Sequence, residues 1–387
     1  MILRYVLVLV AALFAMAGPA AATTPATTPS AAAPHATTPK APATHERWRI
    51  GYVESGDYVD YPLTLAETAD GLELLGWLTY AAPRPEGLGG QELWNWLAEN
   101  VQSEWVEFVA DAYWRPGNFD AEQRAPMRKS VSERLHGKRD IDLIIAMGTW
   151  AGQDMRELGP PVPTVVGSVS DAIGSGISDS EHDSGRDFLH ARIEPERYQR
   201  QLRLFHEIVG FDSLGIVYED SESGRSYAAV GAAEQVAAEL GFRLEHCHAD
   251  SAGITLEQAV ANATGCYAEL ASRHVGAVYV TTHRGVTPDS VKDIAATLLE
   301  GRIPSFSMAG SKEVARGLLM SIAQADISHV GLFHAETISR IFNGAKPREL
   351  SQLWIAPPKI ALNLSTARRI GFDPPVDILL AADEVYE

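Results

Sequence analysis

The sequence predicts an α/β protein of two doubly wound parallel-sheet lobes with a ligand cleft between them. A strand–loop–helix–proline–strand unit is written twice, first from Asp142-Leu-Ile-Ile-Ala-Met147 through Gly148-Thr149-Trp150 to Pro163-Thr-Val-Val-Gly-Ser168. The second copy runs from Ala277-Val-Tyr-Val-Thr-Thr282 through His283-Arg284 to Pro304-Ser-Phe-Ser-Met308. A third echo pairs Ile50-Gly-Tyr-Val-Glu-Ser55 with Leu214-Gly-Ile-Val-Tyr-Glu219. Short apolar runs alternating with amphipathic helices mean parallel sheets covered on both faces. Ligands of open α/β sheets bind beyond the carboxyl ends of the strands, so two facing lobes enclose one.

The elements follow in order. Arg49 to Val53 reads as the first strand, and Leu65, Thr68, Ala69, Leu72 and Leu75 recur at helical spacing. Leu93, Leu97 and Val101 mark another helix, and Trp105 to Trp114 a strand stopped by Pro116-Gly117. Tryptophans 77, 94, 96, 105 and 114 crowd this half and read as core, because aromatic side chains dominate core energetics. Gln123 to Leu135 leads into the strand at Asp142, and the aperiodic Gly, Ser and Asp of Gly174 to Asp187 make a loop. Phe188 to Ile193 reads as a crossing into the second lobe, followed by a helix from Glu196 to Val209. Further crossings are expected near Gly317–Ala323 and Ser351. The predicted lobes are therefore 47–187 with 320–350, and 188–319 with 351–387.

The N-terminus sets the compartment. A basic start at Met1-Ile-Leu-Arg4, an uncharged apolar run from Tyr5 to Ala17, Gly18-Pro19 and then Ala20-Ala21-Ala22 read as a signal peptide, 1–22. Export to the periplasm with cleavage near Ala22 follows. Residues 23–46 are mostly Ala, Thr and Pro, a linker that cannot form a core. The net charge of −18 excludes a nucleic-acid partner, which needs a basic face. Cys247 and Cys266, the two cysteines, fall on a strand and the helix after it and can pair or stay buried as thiols. Strand alternation sends Cys247 away from His246 and His248, so no metal site is expected.

Candidate ligand-binding residues are those at the carboxyl ends of the predicted strands. In the first lobe they are Ser55, Tyr58, Thr149, Trp150, Ser170 and Asp171; in the second, Ser223, Arg225, Thr282, His283 and Ser307. Gly148-Thr149 opens a helix whose first N–H groups have no internal partners and sit at the positive end of the dipole. Such an end holds a carboxylate without any lysine. Thr149 can add a donor or cap the helix, and Ser170-Asp171 can bind ligand or serve a turn. No Gly-x-Ser-x-Gly elbow, phosphate loop or His-Glu-x-x-His motif occurs, and no enzyme or cofactor is expected.

These residues carry a resemblance to a family. From Ile50 onward the chain resembles ABC transporter substrate-binding proteins of the tryptophan and tyrosine type. It does so at Ile144-Ile-Ala-Met-Gly-Thr-Trp-Ala151, at Val169-Ser-Asp171 with Gly176, and at Ile341-Phe-Asn-Gly-Ala-Lys-Pro347. Leu362-Asn-Leu364, Ala367, Gly371-Phe372 and Ala381-Ala-Asp383 continue the match. The resemblance implies the type I periplasmic-binding-protein fold and a monomer that delivers a small molecule to an ABC permease and its ATPase. Membrane contact is then made through the permease alone. A ligand-sensing module feeding a receptor or kinase is the alternative. His283-Arg284, Met308-Ala309 and Gly224-Arg225 depart from the family pattern at positions where it tends to carry acidic or amide residues. The second lobe is accordingly expected to lack acids for a ligand ammonium group, and free aromatic amino acids to bind poorly. A carboxylated or neutral, partly aromatic solute is expected instead, held more tightly when His283 is protonated below about pH 6.5.

Overall fold

β1 (Trp48–Glu54) is buried along nearly its whole length and pairs in parallel with two strands. The protein is described from a computed structural model covering residues 47–322, 327–355 and 359–387. The predicted signal peptide and linker lie outside these residues. After α1 (Asp60–Leu74), β2 (Thr79–Tyr80), α2 (Gly90–Asn100) and β3 (Val101–Gln102) come β4 (Val106–Trp114) and α3 (Ala121–Glu133). Then follow β5 (Leu143–Met147), α4 (Thr149–Leu158), β6 (Thr164–Gly167) and β7 (Leu189–Ala191). They form a parallel sheet in the order β4-β1-β5-β6-β7, with β2 and β3 a separate pair. Every residue of β5 and β6 is buried, as a parallel strand covered on both faces requires.

Each face of the sheet has its own core. Tyr52, Leu65, Leu72 and Trp94 pack on one face, and Val53, Val131, Ile144 and Met155 on the other. Trp77, Trp94 and Trp114 are buried core residues, and Trp96 and Trp105 pack against that core. None of the five lines the cavity described below. The aromatic crowding of this half is packing.

The second lobe repeats the plan. α5 (Arg197–Val209), β8 (Ser213–Tyr218), α6 (Glu222–Tyr227), α7 (Val230–Leu240), β9 (Arg243–His248), α8 (Leu256–Ser272) and β10 (Ala277–Val280) come first. They are followed by α9 (Ser290–Glu300), β11 (Ser305–Ser307), α10 (Ser311–Val314) and β12 (Met320–Ile322). The chain then returns to the first lobe as α11 (Ser328–Phe342), whose Ala335, Ile338 and Phe342 join the core of α1. β13 (Ile360–Asn363), α12 (Leu364–Ile370), α13 (Val376–Ala381) and β14 (Glu384–Tyr386) complete a sheet ordered β14-β13-β12-β11-β10-β8-β9. Only the β12–β13 pair is antiparallel.

Strand pairing moves the predicted lobe boundaries by a few residues. Leu189–Ala191 bonds to β6 in the first sheet, and Met320–Ile322 to β11 and β13 in the second. The crossing therefore begins at Arg192. There Ile193 bridges Leu353 in parallel: its N–H donates to Gln352 O at 2.8 Å, and Trp354 N–H donates to its carbonyl at 2.9 Å. Two crossing segments thus run side by side as a hinge. Much of the third, at 323–326, lies outside the described residues. Cys247 and Cys266 are joined in a disulfide that ties β9 to α8.

Candidate ligand-binding site

A cavity of about 420 Å³ lies beyond the carboxyl ends of both sheets. Its first-lobe wall begins at the sharp turn from β5 into α4. Gly148 there has φ +89°, and a Cβ would lie 1.9 Å from the Tyr61 hydroxyl, so this position needs glycine twice over. Ser55 Oγ donates to Met147 O and accepts from Ala151 N–H, both at 3.0 Å, locking β1 to the start of α4. The Ala151 N–H is therefore spent within the protein. Thr149 is the first helical residue rather than the cap, and its buried hydroxyl makes no hydrogen bond among the described residues. Capping does not account for it.

Trp150 closes the wall. Its indole N–H donates to Ser223 Oγ at 2.8 Å, and Ser223 belongs to α6 of the other lobe. Phe119 meets the ring edge-on, and the Arg124 guanidinium lies over it at 4.9 Å. This bond spans the cleft, so the structure is a closed form.

Of the residues the sequence singled out, Ser55, Tyr58, Thr149, Trp150, Ser170, Ser223 and Thr282 line this cavity. Asp171, Arg225, His283 and Ser307 do not. Asp171 accepts from Gly174 N–H at 2.7 Å, which is turn chemistry. Arg225 reaches Glu234 at 2.7 Å on the surface and also contacts the Tyr218 hydroxyl. Ser307 Oγ donates to Glu313 at 2.6 Å and accepts from Gly310 N–H. His283 is buried between backbone partners: its Nε2 lies 2.9 Å from Ala249 O, and its Nδ1 accepts from Gly285 N–H. That fixes one neutral tautomer, and burial lowers the pKa below the usual histidine value. Protonation of His283 is accordingly not a source of stronger anion binding.

Charged groups that strand-end position does not reveal also line the wall. Asp60, Glu219 and Glu313 line the cavity, so the second lobe is not without acids. Glu219 is committed to its own loops, accepting from Ser251 N–H, Ser251 Oγ, Ala252 N–H and Ser221 Oγ. Glu313 is pushed up to about 7, chiefly by burial and partly by Asp60. Burial likewise raises Asp60. Arg284 turns its guanidinium onto the carbonyls of Ser251 and Ile254, at 2.7 and 2.8 Å. Arg192, Arg197, Lys312 and Arg316 complete the basic lining, so five cationic side chains face three acidic ones. Tyr58, Tyr61, Tyr198 and Tyr227 supply aromatic surface.

Residues 121–386 match a family model described as ABC transporter substrate binding protein. The chain belongs to that family. Among solved structures, the ABC domain in complex with L-Trp from Streptococcus pneumonia superposes with a TM-score of 0.65 at 17% identity. That match covers 88% of this chain and 99% of the other. A conserved domain protein from Vibrio cholerae O1 biovar El Tor gives 0.63 at 16%, over 87% and 99%. The ligand-free, open structure of CD0873 from Clostridium difficile, a substrate binding protein with adhesive properties, gives 0.53 at 17%, over 88% and 99%. No curated protein matches the chain. The neighbours share the two-lobed type I fold of periplasmic binding proteins, and this ABC substrate-binding chain shares it with them. Among the described residues no helix is long and apolar enough to cross a membrane, and no cluster of ligands could hold a metal.

Proposed function

We propose that the protein is a secreted periplasmic binding protein that captures a small solute between its lobes and delivers it to an ABC permease and its ATPase. One observation carries this reading: the Trp150–Ser223 bond spans the mouth of a cavity that both sheets border with their carboxyl ends. A ligand that touches both walls shifts an open–closed equilibrium. Closure then presents a ligand-loaded surface to the permease. Thr149 holds an acceptor group of the ligand, with the N–H groups of Thr149 and Trp150 beside it at the start of α4.

The cavity is of ordinary size for small-molecule sites, and its tyrosines suit a partly aromatic solute. Small-angle scattering of ligand-stripped protein, before and after adding back the solute that co-purifies, tests closure. Compaction on addition, with the solute recovered unchanged by mass spectrometry, is the expected result. A radius of gyration unmoved by any bound small molecule refutes the reading, and chemical conversion of the solute would make the protein an enzyme.

A further inference from the structure

Where the chain crosses between lobes, the cavity wall carries positive charge that the protein does not neutralise. Arg192 lies immediately after β7 and lines the cavity with a side chain only 9% exposed. Its Nε and Nη1 are buried without a hydrogen-bond partner among the described residues. The ring of Trp354 stacks under the guanidinium at 4.8 Å and holds it in place. Arg197, five residues on, also lines the cavity and makes no hydrogen bond from its guanidinium among the described residues. The nearest carboxylate, Glu194, lies 3.7 Å from Arg192, 3.8 Å from Arg197 and 3.3 Å from Arg200. Arg192 and Arg197, 9% and 18% exposed, share that carboxylate with the half-exposed Arg200, which leaves net positive charge on a largely buried wall although Asp60 also acts on Arg197. The N-terminus of α5 adds to it, because Arg197 and Tyr198 open that helix and its cap residue Glu196 makes no side-chain capping bond.

We infer that Arg192 and Arg197 form an anion-binding subsite at the hinge end of the cavity, and that the solute is an organic carboxylate whose carboxyl group docks there. The inference rests on the solute-binding reading above and narrows its ligand class. A guanidinium buried without its hydrogen bonds is costly unless an acceptor completes them, and the planar fork of arginine matches a carboxylate. The other cavity cations are committed or wet: Arg284 to the carbonyls of Ser251 and Ile254, Arg316 to Lys312 O, while Lys312 is exposed. Burial has already lowered Arg192 to about 10, the direction expected of a cation awaiting its counter-charge. The whole chain carries −18, so attraction of an anion is local to this wall.

The test uses the mature chain stripped of ligand by unfolding and refolding. Benzoate, phenylpropionate, phthalate and succinate are compared by thermal shift and calorimetry with benzamide, phenylpropionamide and L-tryptophan. At least one carboxylate should stabilise the protein while its neutral amide does not. Arg192→Gln and Arg197→Gln should each weaken that carboxylate at least tenfold, and Arg200→Gln, which shares Glu194 but does not line the cavity, should leave it unchanged. The ligand-free Arg192→Gln protein should melt no lower than the parent, because the substitution removes a buried charge lacking partners. If Arg192→Gln does not fold, Arg197→Gln alone decides by the same tenfold criterion. Equal binding of acid and amide, no carboxylate binding, or unchanged affinity in the arginine variants overturns the subsite. In those cases a neutral solute that co-purifies and closes the lobes leaves the binding-protein reading standing, whereas no solute and no closure removes both.

Discussion

Thr149 and Trp150 stand next to each other at the start of α4, yet they serve the cleft in different ways. The Thr149 hydroxyl is buried, faces the cavity and has no partner among the described residues. Thr149→Val keeps the shape and removes the donor, so it should cost about 1–3 kcal/mol of solute affinity with the melting temperature unmoved, read by calorimetry on the co-purifying solute. Trp150→Phe removes the N–H that reaches Ser223 and keeps the ring against Phe119. Losing that bond, worth on the order of 1 kcal/mol, should shift the ligand-free protein several-fold toward the open form in a scattering or two-dye distance measurement. At this scale the sequence was partly legible. Strand-end position pointed to Ser55, Tyr58, Thr149, Trp150, Ser170, Ser223 and Thr282, because the sheet edge alone puts them there. His283, Ser307, Asp171 and Arg225 do not line the cavity, and their side chains are taken by neighbours that linear order does not reveal. Arg192 lies within the predicted crossing at 188–193 and Arg197 just beyond it, and a segment that passes between two lobes runs beside the cleft, which was the signal available for them.

Among the elements, β1 and the β9–α8 pair carry chemistry apart from the cleft. β1 ends in Glu54, only 2% exposed, with the Tyr113 hydroxyl donating to it and Arg115 3.6 Å away. Burial raises this carboxyl to about 7, from an ordinary value of 4.5. The folded chain therefore holds a proton that the unfolded chain has released between those two pH values, so this group's contribution to stability falls as pH rises through that window. Glu54→Gln keeps an acceptor for Tyr113 and removes the ionisation. The variant should match the parent near pH 4.5 and exceed it at pH 8 by on the order of 3 kcal/mol, measured by denaturant melts at both pH values. The Cys247–Cys266 link closes a short loop holding Ser251 and Ala252, which line the cavity. Reduction, or replacing both cysteines by serine, should cost about 3 kcal/mol of unfolding free energy. The strands and helices themselves were legible because buried parallel strands read as unbroken apolar runs. The pairing of the cysteines was not, since sequence gives their elements but not the distance between sulfurs.

For the molecule as a whole, closure joins two walls that each carry an acid. Asp60 opens α1 on the first lobe and Glu313 sits on α10 of the second, and in the closed form the charge of Asp60 disfavours that of Glu313. Burial raises both carboxyls, Glu313 to about 7, although Tyr58 and Ser307 hydrogen-bond to them and Lys312, Arg197 and Arg316 lie near. When the lobes part, water returns to both groups and their pKa values fall toward ordinary carboxylate values. The closed form thus binds more protons than the open one between about pH 4.5 and 7, and linkage makes acidification favour closure across that window. Above pH 7 Glu313 is charged in the closed form, and burial beside Asp60 works against that form. Ligand-free protein should accordingly become more compact as pH falls from 8 to 6, and Glu313→Gln should remove most of the pH dependence while leaving the protein more closed at pH 8. Scattering profiles of the parent and Glu313→Gln at the two pH values decide the matter. A radius of gyration independent of pH in the parent, or an unchanged dependence in the variant, would show that the two acids do not gate the cleft.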